Sequence, residues 1–372
     1  MTKLSVSIQS LGVFVLLAVT STLASAQETT REGLNLGDFE VGGFIDSYYQ
    51  YDFNNPPIGS SLGNAGRLFD VQHNSFTVSA VRVNVRKPVS ERNPVGLNVQ
   101  LLFGPNADLL HAYEPGGVNR YQNIQQAYGT FRGGGQRPVQ VDLGKFAAWI
   151  GYEGLDAVDN ENYSRALNFN LGQPNYTAGL RVAKPLSDRV SATLYLANGF
   201  NETEDSNGGK TLGAQVGFAP QPNTNLLLGW WGGLEGSTTQ NEAGGYGGIN
   251  FAQPGTRRVN FVNLIATHQA TARTRFAFDR YYADASSEGG NGGKWNGQAI
   301  YARHQLSGNT AAALRLERLE DSDGLRTGVG RQLHSITATY EYVVGSRGDL
   351  VNRLELRQDF SSTPYFIGDS GE

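Results

Sequence analysis

Apolar and polar side chains alternate in short runs along most of this chain. In the stretch VGLNVQLLFG (95–104), every second position from Val95 to Phe103 is apolar, and Asn98 and Gln100 stand between them. A period of two is typical of a β-strand with one apolar and one polar face. In a soluble sandwich the apolar face turns inward to a core, whereas in a membrane barrel it turns outward to lipid.

The same alternation recurs and predicts fifteen strands. On the last of them, for example, Leu354 and Leu356 alternate with Arg353, Glu355 and Arg357. The predicted strands are 41–53, 76–87, 95–104, 122–132, 138–147, 174–184, 190–198, 211–219, 224–231, 258–268, 273–283, 295–305, 311–320, 332–342 and 350–360. Segments of about ten residues are long enough to cross a bilayer when they are tilted.

The connections between these strands alternate between long and short. The long ones include 54–75, 148–173 and 232–257, whereas the short ones include GGGQR (133–137) and PQPN (220–223). Outer-membrane barrels have long extracellular loops and short periplasmic turns. The alternation of long and short connections therefore predicts an all-β fold, a transmembrane antiparallel up-and-down β-barrel of about sixteen strands. The barrel must be closed, because an open edge would leave unpaired amides in hydrocarbon.

The N-terminus has the pattern of a secretory signal peptide. Lys3 precedes the apolar run LGVFVLLAV (11–19), and Ala24 and Ala26 provide an A-x-A cleavage site. The run is too short for a transmembrane anchor, and no later stretch has the roughly 18 apolar residues of a spanning helix. We expect a signal peptide at 1–26, a short lead-in at 27–38 and a barrel at 39–372.

The chain has no cysteine and therefore folds without disulfides. Its 48 glycines are suited to turns, and its 35 Tyr and Phe residues are suited to strands. The net charge of −4 and the lack of basic runs argue against nucleic-acid binding. A soluble all-β domain is an alternative, which solubility without detergent would reveal.

Candidate catalytic chemistry is sparse. The five histidines are scattered without an H-E-x-x-H spacing, and no G-x-S-x-G elbow is present. The GDSG sequence (368–371) has no assignable base, and the acidic loops at 159–162 and 201–209 lack calcium-loop spacing. We therefore expect no catalytic residue, no metal and no cofactor; a barrel enzyme and a plugged structural barrel are the alternatives.

Several segments over about 39–366 resemble the OmpL-like β-barrel porin 2 family in order and spacing. These are GGFIDSYYQYDFNNP (42–56), NSFTVSAVRVNVRKP (74–88), LGKFAAWIGYE (143–153), NENYSRALNF (160–169), LANGFN (196–201), DSDGLRTG (321–328) and RLELRQDFSS (353–362). The resemblance implies an outer-membrane barrel with a pore role and brings no catalytic residues.

The strand count departs from the rule that single-chain bacterial barrels have an even number of strands. The chain ends in STPYFIGDSGE (362–372), which does not alternate. One hypothesis is a sixteen-strand ancestor whose last strand is missing here. Otherwise an N-terminal or short C-terminal segment must close the barrel.

A barrel of this width has an aqueous lumen, and charged side chains at the narrowest zone set its selectivity. The third long loop, 148–173, is one of the two longest connections, and its acidic residues are predicted to face basic wall residues across a constriction. The alternative is a solvated covering loop, with the wall charges forming a stabilising cross-strand ladder. The pore-lining candidates are Arg82, Asn84, Arg86, Asn98, Gln100, Glu153, Asp156, Asp159, Glu161, Arg181, Arg315, Glu317, Glu341, Arg353, Glu355 and Arg357.

Four tryptophans fall at strand ends next to long loops, and we expect them to form an aromatic girdle at the membrane interface: Trp149, Trp230, Trp231 and Trp295. The expected partners are outer-membrane lipid, small hydrophilic solutes and the barrel-assembly machinery, with a homo-oligomer as a possibility. The expected location is the outer membrane of a Gram-negative bacterium, and the expected function is that of a passive, water-filled channel.

Overall fold

The computed structural model describes residues 2–9, 34–56, 65–112, 114, 118–236, 257–286, 292–345 and 350–366. The predicted signal peptide lies largely outside these residues, as does the GDSG tail. Among the described residues, no helix has both the length and the hydropathy needed to cross a membrane.

All fifteen predicted strands are present, joined in up-and-down order with antiparallel pairing. Two short N-terminal strands, β1 (Thr2–Gln9) and β2 (Leu34–Leu36), precede them. The fifteen are β3 (Phe39–Asp52), β4 (Ser75–Lys87), β5 (Val95–Phe103), β6 (Ile124–Gly133), β7 (Val139–Ala147), β8 (Tyr176–Pro185), β9 (Val190–Ala197), β10 (Thr211–Gln221), β11 (Thr224–Glu235), β12 (Arg257–Gln269), β13 (Thr274–Ser286), β14 (Gly293–Gln305), β15 (Thr310–Asp321), β16 (Arg331–Val344) and β17 (Leu350–Ser361).

The sheet closes at the N-terminus of the chain. β1 pairs with β17 on one side and with the long-loop end of β3 on the other, and β2 pairs with the short-turn end of β3. β1 thus takes the place of the sixteenth strand, which an even strand number requires. β1 lies within the predicted signal peptide, so the predicted cleavage after Ala26 would remove the strand that closes the sheet.

The apolar face of the strands points outward. On β17, Leu354 and Leu356 are 48% and 49% exposed, whereas Arg353, Glu355 and Arg357 are buried. The opening stretch behaves in the same way, because Val95 is exposed and Asn98 is buried. The polar faces therefore line the interior of the barrel, as the alternation predicts for a membrane barrel.

The long connections contain the few helical elements. A short helix, α1 (Pro105–Leu110), follows β5, and Leu110 packs in a buried apolar cluster with Phe44 and Leu102 of the wall. Two 3₁₀ turns, Val118–Arg120 and Ala157–Asp159, and a π-helical turn, Asn168–Gly172, complete the set in the described residues. The last two belong to the connection between β7 and β8.

Candidate functional site

The connection between β7 and β8, residues 148–175, lies inside the barrel. Almost all its side chains are buried, including Trp149, Tyr163 and Arg165. Its ends are fixed by β7 and β8, yet its middle bonds to β15, β16 and β17. These strands stand on the opposite side of a barrel of this size, so the segment crosses the lumen. We call residues 148–175 the crossing loop.

A loop buried in this way needs partners for its backbone groups, because an unpaired buried amide or carbonyl is costly. Arg353 donates to the carbonyl oxygens of Ala157 at 2.6 Å and Asn160 at 2.9 Å. Arg357 donates to the carbonyl of Arg165 at 2.8 Å. The arginines of the wall therefore satisfy the carbonyl groups of the crossing loop.

The carboxylates of the wall perform the complementary task for the amides of the loop. Glu355 accepts from the backbone N–H of Tyr163 at 2.7 Å and of Ser164 at 3.2 Å, and also from the Thr339 hydroxyl. The mixed signs on β15–β17 thus match the mixed donors and acceptors of an irregular backbone. This matching explains why charges of both signs share one wall.

Ion pairs connect the acidic side chains of the loop to basic side chains of the wall. Glu153 accepts from Arg315 Nη1 at 2.7 Å, and Arg315 Nε donates to Glu317 on its own strand at 2.7 Å. Asp156 pairs with Arg82, and both are buried. All five belong to the predicted set, and four of them form two pairs between the loop and the wall, Glu153 with Arg315 and Asp156 with Arg82.

Arg315 also ties the loop through its backbone. Its guanidinium, 0% exposed, donates to the Ser164 carbonyl at 2.5 Å and to the Ser164 hydroxyl at 3.2 Å. Burial raises the pKa of the Glu153 carboxyl, and the neighbouring Arg315 guanidinium opposes that rise. A planar guanidinium with five donors is suited to such multiple contacts.

Glu161 pairs with two inward arginines that the sequence analysis missed. Arg275 donates to one of its oxygens, and Arg303 lies 3.8 Å from the other. Arg303 also pairs with Glu341, which in turn accepts from Arg353 at 2.9 Å. The side chains of Arg275 and Arg303 are 37% and 20% exposed, so they border a solvent-accessible part of the lumen. The available signal was their opposite parity to outward apolar residues of the same strands, Phe276 on β13 and Ile300 on β14.

The remaining predicted residues occupy separate places on the wall. Asn98 and Gln100 are buried on β5, and Gln100 accepts from Gln126 at 2.6 Å. Arg181 donates to Asp142 at 2.8 Å. Arg86, 41% exposed, lies 3.8 Å from Glu40. Asn84 is half-buried on β4, and Asp159 lies in the 3₁₀ turn of the crossing loop.

The girdle prediction is wrong for three of the four tryptophans. Trp149, Trp231 and Trp295 are at most 3% exposed and face the interior, where the Trp295 indole donates to the Gly172 carbonyl at 2.9 Å. Trp149 stacks on Tyr195 and on Trp231, with ring centroids 3.5 and 4.3 Å apart. Only Trp230, 40% exposed, faces outward. These aromatic contacts anchor the ends of the crossing loop.

A second buried polar group lies under α1. Lys145 of β7 donates to His111 at 2.8 Å, lies 3.7 Å from Glu114 and sits over the Tyr176 ring. Burial, together with the nearby Lys145 charge, lowers the pKa of His111 to about 3. Within the described residues, no group of three or more His, Asp or Glu side chains is placed to hold a metal ion.

Comparisons with solved structures find outer-membrane channels. The outer membrane channel DcaP of Acinetobacter baumannii aligns with a TM-score of 0.55 at 11% identity, over 89% of this chain and 99% of that one. The anion-selective porin from Comamonas acidovorans gives a TM-score of 0.46 at 11% identity, over 97% and 99% of the two chains. OmpT of Vibrio cholerae gives 0.48 at 9% identity, over 97% and 96%. The first alignment supports the barrel fold.

A search of curated proteins returned no significant match. The family model described as putative beta-barrel porin-2, OmpL-like, matches residues 38–372, which include all fifteen strands from β3 to β17. The chain therefore belongs to this family of β-barrel porins of the outer membrane.

Proposed function

We propose that this porin is a passive, water-filled channel for small hydrophilic solutes or ions, with its narrowest zone at the crossing loop. The observation that carries the proposal is that wall side chains hold the crossing loop in place across the lumen. Arg315 donates to Glu153 of the loop, and Glu355 accepts from the backbone N–H of Tyr163. A fixed obstacle in a wide barrel limits the size of solutes that pass. Charges beside the remaining path then filter them.

Both interpretations of the wall charges enter this proposal. The buried members, such as Arg315 and Glu355, hold the loop and have little contact with water. The partly exposed arginines Arg275 and Arg303 border the solvent-accessible lumen and are therefore the stronger candidates for selectivity.

The test is single-channel conductance of the refolded protein in a planar bilayer, with the reversal potential measured under a salt gradient. We expect stable, ohmic steps. The sign of the reversal potential reports which charges border the path. A folded, heat-modifiable barrel that gives no conductance would contradict the channel and favour a plugged, structural role.

The variant Arg315→Met tests the position of the constriction. It leaves Glu153 and Glu317 buried without their guanidinium, and breaking a buried ion pair costs about 3–5 kcal/mol. We expect the loop to detach from β15 and the conductance to rise. The control is Arg318→Met, because Arg318 lies on the outer face of the same strand and should leave conductance unchanged.

Export and assembly complete the proposal. We propose that residues 1–26 are removed during export and that the barrel-assembly machinery inserts the chain into the outer membrane. Chemical crosslinking in native membranes would report whether copies associate. Fractionation of the bacterial envelope would contradict the location if the protein were found in a soluble fraction.

A further inference from the structure

The outer surface of the barrel is not uniform. On β9, β10 and β11 the outward side chains above the short turns are apolar, and they include Leu194, Leu196, Leu212, Val216 and Leu228. On β13 to β16 the apolar side chains stop part of the way up. Beyond that point, towards the long loops, the outward side chains are polar or charged except Tyr282 of β13, which stands opposite Asn296.

This polar patch consists of two adjacent rows of directly opposed residues. Arg280 of β13 faces Gln298 of β14, Gln298 faces Arg318 of β15, and Arg318 faces His334 of β16. The next row contains Asn296, Glu320 and Gln332 in register, and Lys294 and Asp284 follow above it. Their outward direction follows from alternation with buried neighbours, such as Tyr281 and Leu319.

The patch extends into the height that lipid would cover. Arg280 is six residues from the short-turn end of β13 at Thr274. At the usual rise and tilt of barrel strands, that separation is about 15 Å, whereas the apolar band of such barrels is about 25 Å tall. On β11, outward side chains remain apolar from Leu226 to Leu234. Charges on a lipid-facing surface are unfavourable unless they find a polar partner.

The patch has more positive than negative groups. Arg280 donates to Gln298 at 3.2 Å and Arg318 to Glu320, which leaves each guanidinium with further N–H donors. Arg280, Lys294 and Arg318 stand against Asp284 and Glu320. Glu320 is engaged, since it accepts from Arg318 at 2.9 Å and from Ser322 at 3.3 Å. Guanidinium and ammonium groups in the long-loop half of an outer-membrane barrel reach the headgroup region of the outer leaflet, where phosphates are the complementary ligands.

We propose that the long-loop half of the outer face of β13–β16 binds the phosphate groups of a phosphorylated lipid of the outer leaflet. Arg280, Arg318 and Lys294 contact the phosphates, and His334 and Gln298 supply further hydrogen bonds. The apolar residues below them, such as Leu314 and Leu316, contact the acyl chains. A bound lipid also explains why β13–β16 have a short apolar band and the nearby strands β9–β11 do not.

The test compares lipid binding to three purified proteins in dodecyl maltoside micelles. The patch variant carries Arg280→Gln, Lys294→Gln and Arg318→Gln. The matched control carries Arg92→Gln, Arg189→Gln and Arg273→Gln, which remove the same charge from exposed short turns. The probes are diphosphoryl lipid A and phosphatidylcholine, with bound lipid counted by native mass spectrometry. Heat-modified migration on SDS gels confirms that each protein is folded.

We expect lipid A to bind the wild-type and control proteins alike, and to bind the patch variant at least tenfold more weakly. Phosphatidylcholine should not discriminate among them. If the triple variant does not fold, the single variants Arg318→Gln and Lys294→Gln should each weaken lipid A binding about threefold. Equal lipid A binding by all folded variants would overturn the proposal. A change in the number of chains per particle with unchanged lipid binding would instead make this face a contact between copies.

Discussion

The Trp149 ring occupies space that is available because the facing residue of the sheet, Gly213, has no side chain. The ring stacks between Tyr195 and Trp231, and it lies over Gly213, which is directly opposite both of those residues in the sheet. A Cβ atom at Gly213 would come within 2.2 Å of the Trp149 ring. The side chain that begins the crossing loop is therefore positioned by the absence of a methyl group on the facing strand.

We predict that Gly213→Ala destabilises the barrel by about 1–3 kcal/mol, because the Trp149 ring is confined on both sides and cannot yield without displacing a neighbour. Urea unfolding in micelles, followed by tryptophan fluorescence, measures the change. Gly129→Ala is the control, since a Cβ atom there meets nothing within 4 Å. Equal stability of the two variants would show that the stacked arrangement tolerates the methyl group.

Glu202 should make the connection between β9 and β10 sensitive to pH. Burial raises the pKa of this carboxyl from 4.5 to about 8, with the nearby Glu235 acting in the same direction. The folded loop therefore favours the protonated form. Its stabilisation is complete below about pH 4.5 and is lost as the pH rises to about 8, because the carboxyl must then be charged in a buried place.

Hydrogen exchange of residues 198–210, corrected for intrinsic rates, should show faster opening at pH 8 than at pH 5. Glu202→Gln should abolish this difference, since the amide keeps the shape and cannot ionise. Glu204→Gln, two residues away on an exposed side chain, should retain it. Persistence of the pH effect in Glu202→Gln would assign it to another group.

At the scale of elements, the strands were predictable and the structure of the long connections was not. Period-two alternation depends only on each strand having one lipid-facing side, so all fifteen strands follow from the sequence. The inward course of the crossing loop was expected from its length and its acids. Its 3₁₀ and π-helical turns were not, because they contact side chains of distant strands: Arg353 donates to the Ala157 carbonyl, and Trp295 donates to the Gly172 carbonyl.

The tryptophan error has a physical reason. Consecutive residues of a strand point to opposite faces, so Trp230 and Trp231 cannot both face lipid. Trp231 and Glu235 are an even number of residues apart on β11, so their side chains share a face. This face is the interior one, where the Glu235 carboxylate accepts from the Trp231 indole at 2.9 Å. The sequence held this signal. For Trp149 it did not, since that side chain lies beyond the end of β7 and its direction depends on Gly213 of β10.

The closing element carries a prediction about the mature protein. β1 lies within residues 1–26, and β2 pairs with the same edge of β3. If cleavage follows Ala26, we expect the segment that begins at Gln27 and contains β2 to take over pairing along this edge, because the edges of β3 and β17 must be satisfied in lipid. Intact mass of protein extracted from outer membranes gives the N-terminus. A mass that includes Met1 would contradict cleavage and retain β1 as the closing strand.

At the scale of the whole molecule, polarity is inverted relative to a soluble protein. Arg315, Glu355 and Arg357 are at most 2% exposed, whereas Leu228 and Leu354 are about half exposed. The interior is held by charges that satisfy an irregular loop, and the exterior is matched to lipid. Each face is therefore sensitive to a different kind of substitution.

The apolar quarter of the outer surface gives the clearest test of this inversion. Leu228, 55% exposed on β11, has the outward residues Val216 and Leu264 directly opposite it. We predict that Leu228→Arg destabilises the barrel by about 2–4 kcal/mol, the cost of a cation deep in the lipid-facing band. Thr224→Arg, at the short-turn end of the same outward face, should cost at most about 1 kcal/mol. Urea unfolding in phosphatidylcholine vesicles measures both. If the protein were a soluble sandwich, the two variants would have similar stability, because replacing an exposed leucine by arginine on a water-facing sheet changes stability by only about 0.5 kcal/mol.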